Sequence, residues 1–162
     1  VPHLLPYASA KFAVVGFSEG LRAELAKDGI KVVTIVPGLM RTGSQINAFF
    51  KGKSRAEYTW FAVLGSIPPI SMSAKRAAQQ IVKATERGRA EVVLGFPAKL
   101  LAKFHGLFPG ATANILGLVN RFLPAAGPVE GLDRKTGEES QTPVSASFLT
   151  ALSQKASREY NE

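Results

Sequence analysis

Residues 30–38 read Ile-Lys-Val-Val-Thr-Ile-Val-Pro-Gly, and this stretch decides the fold. Its first seven residues are dense in β-branched side chains and do not alternate strictly between apolar and polar. That pattern is typical of an interior parallel strand that is covered on both faces. Pro37-Gly38 ends the strand sharply, because proline cannot donate to a ladder and glycine permits a tight bend. The stretch therefore predicts a strand followed at once by a loop.

A long helix is predicted immediately before this strand, from Pro6 or Tyr7 to about Lys27. Apolar side chains recur at spacings of three and four, at Val14, Phe17, Leu21 and Leu25. We expect a helix this apolar to bury two sides, and Gly29 to stop it in the left-handed conformation. Helix, turn, strand and Pro-Gly loop form one step of a doubly wound parallel sheet. In such α/β sheets ligands bind outside the carboxyl ends of the strands.

Tyr7 and Lys11 stand at the start of this helix, four residues apart. Side chains at that spacing lie one above the other on the same helix face. A free tyrosine, with a pKa of about 10, is a poor base at neutral pH. An ammonium about 4 Å away is worth at most ~4 kcal/mol at an effective dielectric of ~20, which lowers the pKa of a phenol by roughly three units. The spacing thus permits general acid–base chemistry, although an interfacial tyrosine beside a solvated lysine has the same pattern.

Two motifs in this order resemble the short-chain dehydrogenase/reductase family. They are Tyr7-Ala8-Ser9-Ala10-Lys11 at the opening of a helix and Ile-Val-Pro-Gly-Leu-Met-Arg-Thr at residues 35–42. The match is tight over about residues 5–42 and continues, by element order, to about residue 96. The resemblance implies the C-terminal part of a doubly wound, Rossmann-like α/β domain. It also implies an NAD- or NADP-dependent oxidoreductase that interconverts an alcohol with a ketone or aldehyde.

The resemblance also assigns site residues. The family's tyrosine exchanges a proton with the substrate oxygen, which here is the role of Tyr7. The family's lysine lowers the pKa of that tyrosine and hydrogen-bonds the nicotinamide ribose, which is the role of Lys11. The Pro-Gly loop packs against the nicotinamide and a following threonine contacts its carboxamide. The matching cofactor-binding positions are Tyr7, Lys11, Pro37, Gly38, Leu39 and Thr42.

Other parts of the family pattern are missing from these 162 residues. A complete member has a glycine-rich turn after its first strand, a residue after the second strand that selects NAD or NADP, and a serine upstream of the tyrosine. The chain also lacks an initial methionine. We therefore expect it to be the C-terminal portion of a longer dehydrogenase, inactive by itself.

Residues 43–70 are expected to be an irregular region, which in the family forms a variable lid over the substrate. Aromatic side chains are concentrated here, and Phe49, Phe50 and Trp60 are the predicted substrate contacts. They indicate a sizeable apolar substrate. The alternative that they only pack the lid or a subunit contact stays open.

The rest of the first domain, residues 1–127, is predicted to alternate helices with one more strand. A helix capped by Ser73 and ended by Gly88 should bury a face that includes Ala77 and Val82, and a strand should follow at residues 91–95. Two amphipathic helices at 97–107 and 109–123 are expected to turn Leu100, Leu101 and Phe104 inward. These helices fit subunit packing, a lid, or a peripheral membrane contact. Residues 128–162 are predicted to be a flexible polar tail, with an amphipathic helix around 147–160.

The composition of the chain limits which partners, metal sites and cellular locations are expected. The formal net charge is +8, but the basic residues are scattered, so we expect no nucleic-acid partner. There is no cysteine and there are only two distant histidines, so no metal site is predicted. Without a secretory signal or an apolar run of ~20 residues, a cytoplasmic protein is expected, as a homo-oligomer with a small-molecule alcohol or carbonyl substrate.

Two other functions remain open from the sequence. Nucleotide-sugar epimerases use a similar Tyr/Lys pair, but they usually lack the continuation seen at residues 37–42. A non-catalytic interaction module becomes the better reading if the natural chain starts at Val1.

Overall fold

The computed structural model describes residues 2–125 and 133–160 of an α/β chain. The residues cluster into two compact units, each built from two separate chain segments. Unit 1 contains residues 1–38 and 75–121, and unit 2 contains residues 39–74 and 122–162. The chain therefore passes from the first unit to the second, back again, and finally into the second.

The described elements are helices and short strands mixed along the chain. They are α1 (Leu5–Leu25), β1 (Thr34–Pro37), β2 (Met40–Arg41), β3 (Phe49–Phe50), α2 (Ser54–Ser66), β4 (Met72–Ser73), α3 (Ala74–Glu86), β5 (Glu91–Leu94), α4 (Phe96–Leu107), α5 (Pro109–Asn120), β6 (Lys135–Thr136) and α6 (Ala151–Tyr160). Within the described residues, short 3₁₀ turns lie at Ala26–Asp28, Ser44–Asn47 and Phe148–Thr150. No helix among the residues described has the length and apolar character that a bilayer crossing requires.

The sheet of unit 1 is a parallel pair, β1 and β5, with Thr34 opposite Glu91 and Pro37 opposite Leu94. The predicted strand at residues 30–36 is confirmed only in its second half. The reason is geometric: β5 begins at Glu91, opposite Thr34, so residues 30–33 have no β5 residue to pair with in this register. The predicted strand at residues 91–95 is confirmed as β5. Parallel pairing through a connection that includes a helix is the α/β arrangement that the sequence indicated.

Helix α1 matches its predicted extent, and Gly29 follows its terminal 3₁₀ turn with a φ of 72°. The expected burial of two sides is wrong for the residues described, since no residue of α1 is buried. Phe17, for example, is 70% exposed. On the packed side, α1 lies along β1, and Phe12 meets His105 of α4 edge-to-face at a centroid distance of 6.5 Å. These contacts leave the broad apolar stripe uncovered.

Helices α3 and α4 bury only part of the face that was predicted for each, which includes Ala77 of α3 and, partly, Phe104 of α4. In α3 the buried residues are Ala77 and Ala84, whereas Val82 is exposed. In α4 the side chains of Leu100 and Leu101 are exposed rather than turned inward. Apolar periodicity located both helices correctly, but it did not determine which part of each stripe meets the sheet. Gly127, the predicted end of this domain, lies outside the described residues.

Unit 2 is organised around α2, a regular helix in a region that was expected to be irregular. Its buried residues recur every four positions, at Ser54, Tyr58, Ala62 and Ser66. Helix α6 packs against it, and the hydroxyls of Ser66 and Ser153 lie 2.8 Å apart in the interior. Small side chains at this contact let the helices approach closely. Two short pairs flank them, β2 with β4 in parallel and β3 with β6 antiparallel.

Hydroxyl groups fill much of the interior of unit 2. The Thr150 hydroxyl donates to the Ser145 carbonyl at 2.7 Å, and the Ser140 hydroxyl donates to the Thr136 carbonyl at 2.8 Å. Across the described part of the chain, no buried side-chain nitrogen or oxygen lacks a hydrogen-bond partner. Because buried polar groups are costly only when unpaired, these small residues can form a core.

The segment predicted to be a flexible polar tail has regular structure where it is described. Residues 133–160 contain β6, a series of turns and α6, with Ser153 and Ala156 buried against the rest of unit 2. The predicted amphipathic helix around residues 147–160 is confirmed by the 3₁₀ turn and α6. Low hydrophobicity misled the prediction because hydroxyl pairing, rather than apolar burial, orders this segment.

Candidate functional site

Tyr7 and Lys11 lie in the first turns of α1, with their side chains on the same face. The Lys11 Nζ stands over the Tyr7 ring, 5.4 Å from the ring centroid. The tyrosine is 60% exposed and the lysine is also exposed, so the phenol is open to a ligand. A cation over an aromatic face is attracted by the ring quadrupole. The contact therefore holds the ammonium beside the phenol.

Two polar residues farther along the same face of α1 attach the helix to the strand. The Thr34 hydroxyl donates to the Ser18 hydroxyl at 2.8 Å. The Arg22 guanidinium donates to the carbonyl of Val32 and, at 3.1 Å, to that of Gly88. Since Ser18 and Arg22 are seven and eleven residues after Lys11, all lie within one narrow sector of the helix. The face that carries Tyr7 and Lys11 is thus the face bound to β1.

These bonds also show that α1 and β1 run in opposite directions. Ser18 meets Thr34, whereas Arg22 meets Val32, so going back along the helix means going forward along the strand. From Ser18 back to Lys11 is about 10 Å at 1.5 Å per residue. From Thr34 forward to Pro37 is also about 10 Å at 3.3 Å per residue. Lys11 is therefore level with the end of β1, and Tyr7 lies about one helical turn beyond it.

Pro37 and Gly38 form that carboxyl end. The Gly38 N–H donates to the Leu94 carbonyl at 3.0 Å, which extends the parallel pairing by one residue. A Cβ built on Gly38 would stand 2.8 Å from the Cβ of Ala98 and 2.9 Å from the Leu94 oxygen. Glycine is needed here for space rather than for an unusual φ. Pro37 remains exposed at the edge of the sheet.

Leu39 and Thr42 belong to unit 2. The Leu39 carbonyl accepts from the Met72 N–H at 2.9 Å, while its side chain is exposed. The Thr42 hydroxyl lies 2.8 Å from that of Ser44 and accepts from the Ser44 N–H at 3.3 Å. Between them, Arg41 donates to the carbonyl and the hydroxyl of Ser71, at 2.6 and 2.9 Å. This loop is held by its own polar contacts, with the Leu39 side chain free at the surface.

The three predicted substrate contacts have different surroundings within unit 2. Phe50 packs edge-to-face on Tyr58, with centroids 5.6 Å apart, and burial raises the pKa of that tyrosine. Phe49 lies under the Arg134 guanidinium, 4.0 Å from its ring centroid. Trp60 is exposed. Phe50 is therefore engaged in packing, whereas Phe49 and Trp60 present ring surface to solvent.

Sequence reasoning missed the residues that position the Tyr/Lys pair. Ser18 and Arg22 interrupt the apolar pattern of α1 at a spacing of four, and that interruption was the signal for a polar attachment. Arg134 was missed as well, because it lies in the segment that was expected to be flexible. Among the residues described, no cluster of three potential metal ligands occurs.

Comparison with known proteins gives a consistent result. A family described as short chain dehydrogenase matches residues 1–51. SadH of Mycobacterium tuberculosis, a protein named as an oxidoreductase, is 33% identical over 129 residues, or 78% of this chain and 43% of that protein. A dehydrogenase/reductase SDR family protein 7-like of Anopheles gambiae is 34% identical over 94 residues, or 58% of this chain and 28% of the relative.

A shorter similarity covers the motif region alone. Human 17-beta-hydroxysteroid dehydrogenase 13 is 48% identical over 46 residues, which are 26% of this chain and 15% of that protein. The chain spans less than half the length of each of these three relatives. No solved structure gives a significant match.

Proposed function

Because the chain belongs to the short-chain dehydrogenase family, we propose that it is the proton-transfer part of an NAD(P)-dependent oxidoreductase. The reaction is the interconversion of an alcohol with a ketone or aldehyde by hydride transfer. The observation that carries the proposal is the attachment of α1 to β1, from which the position of the Tyr/Lys pair along the strand follows. Ser18 contacts Thr34 of β1 and Arg22 contacts Val32 just before the strand, and these contacts support a position for Tyr7 and Lys11 near the carboxyl end of β1, where α/β sheets bind ligands.

Each side chain has one role. Tyr7 donates its phenolic proton to the carbonyl oxygen of the substrate in reduction, and takes it back from the alcohol in oxidation. The Lys11 ammonium, held over the Tyr7 ring, hydrogen-bonds the nicotinamide ribose. When bound, the nicotinamide supplies or accepts the hydride. An exposed phenol satisfies the first requirement of a general acid, which is access to the reacting oxygen.

The loop after β1 suits a flat ring. Pro37 is exposed and Gly38 carries no side chain, so a nicotinamide can approach the backbone at the strand end. Leu39 offers apolar surface, and the half-exposed Thr42 offers a hydroxyl for a carboxamide. We assign Tyr7, Lys11, Pro37, Gly38, Leu39 and Thr42 to the cofactor. The choice between NAD and NADP is not assigned to any residue of this chain.

We propose an apolar substrate, since exposed aromatic rings lie in the segment that follows this loop. Phe49 and Trp60 present ring surface, whereas Phe50 supports them through its contact with Tyr58. Rings of this size contribute large apolar contact area to a ligand.

The first experiment replaces the phenol. In the full-length protein, Tyr7→Phe should lower turnover by about 10²–10⁴-fold, the usual contribution of a general acid, and leave NAD(P)H binding largely intact. The matched control is Tyr160→Phe on α6, which should leave both unchanged. Turnover is followed by nicotinamide absorbance and binding by calorimetry. Retained turnover in Tyr7→Phe would exclude this mechanism.

The second experiment tests the lysine. Lys11→Ala should lower both turnover and cofactor affinity, with Lys27→Ala in the 3₁₀ turn after α1 as its control. Unchanged cofactor affinity would remove the ribose contact. An isomerised product without net oxidation or reduction would instead indicate an epimerase-type reaction.

A further inference from the structure

Helix α4 carries an exposed apolar stripe that nothing described in unit 1 covers. Phe96, Leu100 and Leu107 are 77%, 60% and 74% exposed. At 100° per residue these three positions fall within about 40° of one another on the helix surface. The exposed Lys103 lies in the same sector and Lys99 lies beside it. An exposed apolar stripe that also carries lysines indicates an interaction surface.

Other positions of α4 make the contacts with the rest of unit 1. His105, about 160° from the centre of the stripe, meets Phe12 of α1 edge-to-face, and Phe104, at the edge of the stripe, is partly buried. The next helix, α5, buries Thr112 and exposes Ile115 and Leu118. Both helices therefore leave large apolar side chains in solvent.

The charge around the stripe is of one sign. Residues 92–129 contain no aspartate or glutamate, whereas Lys99, Lys103 and Arg121 are all present. Beside the stripe, between β5 and α4, lies a cavity of about 350 Å³. It is lined by Arg89, Glu91, Val92, Val93, Lys99, Ala102 and Lys103. Three cations against one carboxylate make this cavity suitable for an anionic headgroup.

We propose that the α4 face docks on the surface of a bilayer that contains anionic lipid. Phe96, Leu100 and Leu107 enter the boundary between headgroups and acyl chains. Lys99 and Lys103 extend along their aliphatic stems to place their ammonium groups among phosphates. The alternative occupant, a second copy of this face, would bring the same two lysines on each side together without any acidic residue of α4 to pair them. Charge complementarity therefore favours the lipid surface.

Vesicle binding tests the apolar half of the proposal. The full-length protein should co-sediment with vesicles of phosphatidylcholine containing about one third phosphatidylserine. Leu100→Ser/Leu107→Ser should weaken this binding about tenfold or more, because two large side chains no longer insert. Val82→Ser, an equally exposed position on α3, should leave it unchanged. Since all three positions are exposed, circular dichroism should show the same melting curve for each variant.

The charged half has its own test. Lys99→Glu/Lys103→Glu should lower binding to the anionic vesicles by about fivefold or more per lysine, and raising the salt concentration should lower binding of the unmodified protein. Absence of binding to anionic vesicles would overturn the proposal. So would self-association in lipid-free sedimentation that Leu100→Ser/Leu107→Ser abolishes, because the face would then bind a second copy. Oxidoreductase activity is not a readout, so the result is independent of the function proposed above.

Discussion

Helices α1 and α2 use their side chains in opposite ways. The longer helix, α1, has large apolar residues along much of its length, yet none of its 21 residues is buried. The shorter helix, α2, buries four of its 13 residues, and two of these are serines. The difference is one of size and pairing. Small hydroxyl-bearing residues let α2 and α6 approach closely, whereas the large side chains Val14 and Phe17 of the α1 stripe stay exposed.

Individual glycines of the two units also differ in how closely another part of the backbone approaches them. In unit 2, Gly43 lies against the backbone of Ser157, and Gly137 lies against that of Ile46. In unit 1, Gly29 has no neighbouring atom within 4 Å of the place where a Cβ would stand. Both Gly43 and Gly29 have positive φ, at 95° and 72°. Replacing each of these two glycines by alanine therefore separates the cost of backbone strain, which both share, from the cost of a steric clash, which only Gly43 has.

The largest effect should come from a methyl group placed between α6 and the loop before α2. Gly43→Ala should lower the free energy of unfolding by about 2–4 kcal/mol, because both strain and a clash with the Ser157 backbone oppose it. Gly29→Ala should cost only about 1–2 kcal/mol, since strain alone opposes it. Urea denaturation of both variants measures the difference. Equal losses would mean that unit 2 is not tightly packed at this point.

A smaller effect is expected from the buried hydroxyl pair. Ser66→Ala should cost about 1–2 kcal/mol, because Ser153 then lacks its interior partner. The double variant Ser66→Ala/Ser153→Ala should lose less than the sum of the two single variants, since no unpaired hydroxyl remains. A double-mutant cycle in urea gives the coupling. The cycle for the more exposed pair Thr59 and Thr142 should give a smaller value. Additive losses at Ser66 and Ser153 would show that the bond does not organise the interface.

The smallest effect concerns acidity at the surface of unit 2. The Thr136 N–H and then the Thr136 hydroxyl bind the carboxylate of Glu139, at 2.7 and 3.0 Å, and lower the pKa of that group. A depressed folded pKa means that the stabilisation is present above the ordinary carboxyl pKa of 4.5 and is lost as the pH falls through the lower folded value. Glu139→Gln should therefore melt slightly lower than the unmodified protein at neutral pH.

The decisive part of that measurement is how the difference in melting temperature between the two proteins changes with pH. At acidic pH, with the carboxylate protonated in the unmodified protein, the melting temperatures of the two proteins should converge. Glu138→Gln, at the exposed neighbouring position, is the charge-matched control. A difference for Glu139→Gln that stays constant from neutral to acidic pH would exclude the two Thr136 bonds as its cause.

The comparison of α1 with α2 also explains what could be predicted from the sequence. The extents of α1, β5 and α4 followed from apolar periodicity and from Gly29 and Gly88, because local geometry determines them. The burial of α1 and α4 did not follow, since periodicity identifies an apolar face without identifying its partner. The order in residues 133–160 was missed because its interior is held by serine and threonine, residues that the hydrophobic pattern counts as polar.

The candidate site likewise has residues that could be predicted from local motifs and positions that depend on tertiary contacts. Tyr7, Lys11, Pro37 and Gly38 could be chosen from their motifs alone. Their relative positions could not, because they depend on the contacts of Ser18 with Thr34 and of Arg22 with Val32, which are 16 and 10 residues away along the chain. The packing of Phe50 on Tyr58 was equally hidden, since α2 was not expected to be a regular helix.

The order in which the chain visits its two units affects how it can fold during synthesis. Val36 of β1 must wait for Val93 of β5, its partner 57 residues later, and α2 must wait for α6 in the same way. Closing a loop of that length costs about 4 kcal/mol in chain entropy before any contact compensates. During synthesis α1 and β1 therefore leave the ribosome before β5, the parallel partner of β1, has been made. Chaperone dependence and late, concerted acquisition of protease resistance are the expected signs of this interleaved chain path.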